Sequence, residues 1–120
     1  MVDITLITAE EILGYAEKEL EKAIKTGDML LYRNAADKAF LSMVVAVNSY
    51  LYKKLGVTPK THKERRFLLR KLDKENLRAI YSDVMRTLYD EAYYEGIFNP
   101  EEVKYALMLI KKMLDEFKKE

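Results

Sequence analysis

The densest apolar run of the chain lies between Met29 and Leu55, and between Ala39 and Val47 only Ser42 is polar. A helix over this stretch is apolar on nearly every face, so other helices or lipid must surround it. Lys38 and Lys53 bracket an uncharged segment of only 14 residues, short of the ~20 that a membrane span needs. The pattern predicts the central helix of a helical bundle and no membrane partner.

The rest of the chain punctuates itself into helices around this one. Ile4–Ile7 reads as an apolar lead-in. Thr8 and Glu11 form a capping box, so the first helix is expected from Thr8, with Ala9, Ile12, Leu13, Ala16, Leu20, Ala23 and Ile24 as its inner stripe. Gly27 stops it and Asp28 caps the second helix, which runs from Met29 to Leu55 and stops at Gly56. Pro59 keeps Thr58 out of a helix. Thr61 and Glu64 open a short third helix through Leu72, with Phe67, Leu68 and Leu72 facing inward. Asp73 is expected to break that helix and cap a fourth, from about Lys74 to Glu95, ended by Gly96. Asn99, Pro100, Glu101 and Glu102 are a helix start for the fifth. The expected fold class is all-α, an up-and-down bundle of four long helices plus one short helix over the single domain 1–120.

Composition narrows the chemistry. The chain has 120 residues, is 49% apolar and 34% charged, and lacks cysteine, which removes disulfides and thiolate metal sites. The opening residues lack a basic n-region and a long apolar stretch, so no signal peptide is expected and the expected location is cytoplasmic. Glutamine and tryptophan are missing, while Lys and Glu abound, a bias resembling thermophilic proteins. Net charge is only +1, yet Lys53–Lys71 holds eight basic residues against one acid, Glu64. That segment carries +7 and the remainder −6, an asymmetry that points to an anionic partner.

The candidate anion- or RNA-binding residues are therefore Lys60, His62, Lys63, Arg65, Arg66 and Arg70. Lysines and arginines would supply the salt-dependent affinity that a polyanion requires, and Tyr50 and Tyr52 upstream could stack on bases. His62 is the single histidine. With no cysteine and no second histidine, no transition-metal site or cofactor is expected. Asp83, Arg86 and Asp90 fall at i, i+3 and i+7 and form a polar face that reads best as structural ion pairing. Tyr89, Tyr93, Tyr94, Ile97 and Phe98 form an aromatic corner, read as core first, as a subunit interface second, or as a pocket wall. No glycine-rich phosphate loop exists. A serine triad would have to borrow the lone histidine, so no catalytic residue is assigned.

The helix Ala35-Ala36-Asp37-Lys38-Ala39-Phe40, the start Thr61-His62-Lys63-Glu64 and the segment Leu88–Gly96 with its following Asn-Pro-Glu-Glu helix resemble the archaeal PaREP1-like proteins of the HEPN superfamily. The resemblance implies a HEPN-like bundle that commonly dimerises, with relatives that act as metal-independent RNases or as partners of small nucleotidyltransferases. The arginine that RNase-active HEPN proteins carry a few residues before histidine has no counterpart before His62, and neither Arg33 nor Arg86 is followed by histidine. The expectation is a non-catalytic homodimeric module that binds RNA or a nucleotide. The competing readings are an RNase of toxin type with a degenerate motif using Arg86, Asp90 and His62, and a structural partner of a nucleotidyltransferase.

Overall fold

The structure, a computed structural model, describes residues 4–120. Those residues are helical throughout their regular parts, with no strand among them. Helix α1 spans Ile4–Thr26, α2 Met29–Leu55, α3 His62–Lys71 and α4 Glu75–Val84. The last of these continues into a π-helix, Met85–Tyr94, and α5 spans Pro100–Lys119. At 27 residues, α2 is about 40 Å long, which sets the 43 Å long dimension of the molecule. It touches α1, α3, α5 and the π-helix, so the apolar run does serve as the axle around which the chain packs. No helix among the described residues is long and apolar enough to cross a membrane.

Helix α1 begins a turn earlier than the capping box implies, with Thr8 inside it. The reason is Leu6, which is 7% exposed and extends the inner stripe to Leu6, Ala9, Leu13, Ala16, Leu20 and Ala23. That stripe alternates three- and four-residue steps, as does Tyr32, Ala36, Ala39, Met43, Ala46 and Tyr50 on α2. Alternating steps favour helices crossing at a shallow angle, and the alanines let the two backbones approach. Burying Leu6 contributes on the order of 2 kcal/mol, more than an N-cap at Thr8 would.

The helix ends follow local chemistry. Asp28 Oδ1 accepts from the Leu31 amide at 3.0 Å, Thr61 Oγ1 from the Glu64 amide at 3.0 Å and Asn99 Oδ1 from the Glu102 amide at 3.4 Å. Asp73, by contrast, caps nothing. It adopts φ 62°, its amide donates to the Arg70 carbonyl at 2.9 Å and the next amide, Lys74, donates to Leu69 at 2.9 Å. This is a Schellman closure of α3 with aspartate in the place glycine usually takes, and α4 starts at Lys74 without a side-chain cap.

Helix α3 is rotated relative to the expected phase. Leu69 is fully buried and Arg65 is 7% exposed, while Phe67 is 62% exposed and Leu68 and Leu72 are half-buried. Arg65 takes the inward position because its guanidinium reaches Asn48 on α2, as described below, and Phe67 then lies on the opposite face.

The largest departure from expectation is the π-helix where a continuous α-helix was predicted. The Glu95 amide donates to Asp90 at 3.0 Å, an i→i+5 bond, and Ile97 donates to Glu91 at 2.8 Å around Gly96. Arg33 of α2 closes this wide end. Its Nε donates to the Tyr93 carbonyl at 2.8 Å and Nη2 to the Tyr94 carbonyl at 2.9 Å, satisfying acceptors that a helix end leaves open. The fully buried Tyr32 holds the following loop, its hydroxyl accepting from the Asn99 amide at 3.0 Å.

Candidate functional site

The turn after α2 delivers the site. Gly56 reverses the chain at φ 70°, Pro59 is buried, and the Thr61 cap fixes His62 as the first residue of α3. His62 and Arg65, three apart, then share the helix face turned toward α2 and α4.

Arg65 is tied from four directions. Nε donates to Asn48 Oδ1 at 2.7 Å, Nη1 lies 3.1 Å from His62 Nδ1 and 3.4 Å from the Tyr81 hydroxyl, and Nη2 reaches the Pro59 carbonyl at 3.5 Å. None of these partners is a carboxylate, and no ion pair forms at Arg65 among the described residues. A guanidinium has five N–H groups, so one Nη2 hydrogen is left over. A nearly buried positive charge held without an anion is costly, and its attraction for one is correspondingly strong.

His62 is read through the same contacts. Its Nδ1 is 2.7 Å from the Tyr81 hydroxyl, and the arginine beside it can only donate. Nδ1 therefore carries the lone pair and the proton belongs on Nε2. Burial, then the charges of Arg65 and Arg66, push the imidazole pKa below its ordinary value, with Asp90 opposing them. The ring is neutral at neutral pH. Burial also raises the Tyr81 phenol, against the pull of Arg65. Phe40 lies 5.3 Å and Tyr89 6.0 Å from the imidazole centroid.

His62 and Arg65, with Phe40 and Tyr89, line a cleft of about 510 Å³, and Tyr81 lies buried behind them. Phe40, Leu41, Val44 and Tyr89 make its apolar wall, Lys60, Thr61, His62 and Arg65 its donor wall, and Asp37 sits at one end. Leu41 is 49% exposed, so one face of the greasy helix is not packed against other helices but borders this cleft. Burial raises the Asp37 pKa, and its carboxylate has no hydrogen-bond or ion-pair partner among the described residues.

The six basic candidates separate. Lys60, His62 and Arg65 converge on the cleft. Lys63 is exposed beside it with no ion pair among the described residues, and Arg66 is half-buried with Nη1 3.5 Å from Met85 Sδ. Arg70 is not available in the same way, since Nε pairs with Glu75 at 3.2 Å, which also holds Arg78. Upstream, Glu120 pairs with Lys54 and Lys74, each at 3.3 Å, and accepts from Tyr50, whose phenol burial and the Glu120 charge push up to about 12. Within the basic stretch Lys54 and Arg70, one toward each end, are thus ion-paired, while the cations between them are not paired among the described residues.

The Asp83–Arg86–Asp90 ladder forms only in its first step, at 3.9 Å between exposed side chains. Arg86 and Asp90, four apart within the π-helix, make no ion pair with each other. Neither Asp83 nor Arg86 lines the cleft. No group of three or more metal-ligating side chains occurs among the described residues. Asn48, Tyr81, Phe40 and Asp37 complete the site although the basic pattern did not single them out. Asp37 and Phe40 share an α2 face at three-residue spacing, the one sequence signal that could have raised them. No family model, no curated protein and no solved structure matches this chain.

Proposed function

We propose that the chain is a non-catalytic, HEPN-like module, an up-and-down bundle that dimerises and binds RNA or a nucleotide by its phosphate in the Lys60–His62–Arg65 cleft. The single observation that supports this reading is Arg65, nearly buried and fixed by four neutral partners, with no carboxylate to balance it. A phosphate oxygen entering the cleft would meet the guanidinium, the Lys60 ammonium and the outward Nε2–H of His62, three donors of the kind that hold phosphates.

Charge reversal at the open positions tests it. Lys60→Glu, Lys63→Glu and Arg66→Glu together should abolish filter retention of labelled RNA, and retention at the wild-type level refutes the reading. Sedimentation of the pure chain tests the dimer separately.

A second reading, a metal-independent RNase, draws support from the neutral imidazole with one nitrogen facing the cleft, a fit starting point for proton transfer. Cleavage of labelled RNA in EDTA that disappears in His62→Asn would favour it over simple binding. Its earlier form, built on Arg86, is set aside because Arg86 lies outside the cleft. A role as partner of a nucleotidyltransferase makes a distinct demand, co-purification of such an enzyme with the dimer.

A further inference from the structure

The π-helix arranges its tyrosines as an α-helix would not. In an α-helix a residue and its i+5 neighbour point about 140° apart, whereas the wider π turn brings both i+4 and i+5 over residue i. Tyr89 accordingly stacks on Tyr93, with centroids 6.1 Å apart and planes at 18°, and also approaches Tyr94 at 6.5 Å. On its other side Tyr89 stacks on the buried Phe40 at 5.2 Å and 25°. Phe40, Tyr89 and Tyr93 form a ladder of rings running from the core to the surface, where Tyr94 is 73% exposed.

A slot of about 390 Å³ opens at the outer end of this ladder, lined by Tyr93 and Tyr94 of the π-helix and by Leu30, Arg33 and Asn34 of α2. Leu30 is 71% exposed. Arg33 is anchored through Nε and Nη2 to the π-helix carbonyls, which leaves Nη1 without an acceptor among the described residues. The Asn34 side-chain amide likewise has no hydrogen-bond partner among them. The slot therefore offers an aromatic face, an aliphatic face and polar edge groups, the features an unpaired base requires. It adjoins the phosphate cleft, since Tyr89 lines the cleft and Tyr93 the slot. Asn34 and Asp37 are also separated by only about 4.5 Å of helix rise.

We propose that this slot receives an unpaired base of single-stranded RNA, stacked as the next rung on Tyr93 and Tyr94, while a neighbouring phosphate occupies the Lys60–His62–Arg65 cleft. The proposal rests on the phosphate-binding reading and adds to it that the ligand is single-stranded, because a duplex keeps its bases inside. Stacking is tolerant of sequence, so little base preference is expected beyond what Asn34 and Arg33 Nη1 confer.

Fluorescence anisotropy with the full chain tests the base slot apart from the phosphate cleft, using labelled oligouridylate and the matching abasic ribose-phosphate chain as probes. Tyr93→Leu with Tyr94→Ala should weaken oligouridylate binding ~10-fold or more and leave the abasic probe unchanged. Lys60→Ala should weaken both probes alike. Tyr94→Ala alone alters a ring that is mostly in solvent, keeps the fold by circular dichroism and should still lose several-fold in affinity for oligouridylate. Equal binding of oligouridylate by wild type and both tyrosine variants, with Lys60→Ala still impaired, overturns the base slot and leaves the phosphate cleft standing. Parallel losses on both probes in the tyrosine variants also overturn it. Failure of the wild-type chain to bind either probe overturns the slot and the cleft together.

Discussion

Arg65 donates through Nη1 to Nδ1 of His62 across 3.1 Å. Burial first, and this permanent cation second, hold the imidazole pKa down, and the contact leaves the ring proton on Nε2. The pair is built on one helix turn but held from outside it, by Asn48 on α2 and Tyr81 on α4.

Removing the guanidinium should be expensive. In Arg65→Ala, Asn48, Tyr81 and His62 each lose a partner in a part-buried setting, and the expected loss is ~2–4 kcal/mol of unfolding free energy. Arg65→Lys should recover only a fraction, because a lysine is a point charge and cannot bridge Asn48, His62 and Pro59 at once. Urea unfolding followed by circular dichroism reads both. A loss below ~1 kcal/mol in Arg65→Ala would mean that the guanidinium is not fixed as described.

His62 makes stability depend on pH with a definite sign. Its folded-state pKa lies below the ordinary 6.5, so the unfolded chain binds the proton first. The stabilisation is complete above pH 6.5 and disappears as pH falls through the folded value. The wild type should therefore lose urea resistance between about pH 7.5 and about pH 5 more steeply than His62→Gln. Because a bound phosphate favours the charged ring, added phosphate should flatten the wild-type slope and leave the variant unaffected. Identical slopes in the two proteins would refute the assignment.

Much of the scaffold was legible, and the reason is that helix ends are local chemistry. Asp28, Thr61 and Asn99 cap where a short polar side chain precedes a helical pattern, and Gly27, Gly56 and Gly96 stop helices at positive φ. What was not legible depended on tertiary partners. Thr8 looked like a start because its own neighbours fit a capping box, but Leu6 is drawn into the core. Arg65 looked like part of a solvated basic lobe, since nothing adjacent in sequence foretells Asn48 as its acceptor. Its burial then turned Phe67 outward. The π-helix had no signature at all, for Met85–Tyr94 keeps an apolar spacing that an α-helix would satisfy equally. The candidate site was thus half visible, with Lys60, His62 and Arg65 named as anion-binding residues, but not the cleft that Phe40, Tyr89 and Asp37 make of them.

Asp37 provides a prediction of the opposite sign. Burial raises its pKa above the ordinary 3.8, so whatever it contributes is fully present below that value and is lost as pH rises through the folded pKa. At neutral pH the unpartnered carboxylate is a burden on the fold and repels an incoming phosphate. Asp37→Asn should raise the urea midpoint at neutral pH, with the gain shrinking under acid conditions, and should tighten RNA binding. Weaker RNA binding in this variant would indicate that the carboxylate accepts a donor from the ligand.

The two glycines Gly96 and Gly14 should respond in opposite directions to the same substitution. Gly96 sits at φ +71°, and a Cβ there would meet Arg33 Nη1 at 3.1 Å and Cζ at 3.4 Å. Gly96→Ala thus combines left-handed backbone strain of ~1–2 kcal/mol with displacement of the guanidinium that closes the π-helix. Gly14 lies within α1, and a Cβ there meets nothing within 4 Å. Gly14→Ala should stabilise by ~0.5–1 kcal/mol, because alanine costs less conformational entropy in a helix interior. Thermal melts should move by a few degrees down and up respectively. The Gly96 variant alone should also lose order in the Tyr93–Tyr94 slot, seen as weaker oligouridylate binding at unchanged affinity for the abasic chain. If Gly96→Ala melts like the wild type, Arg33 does not hold the end of the π-helix, and the rigidity of the tyrosine ladder must come from Phe40 instead.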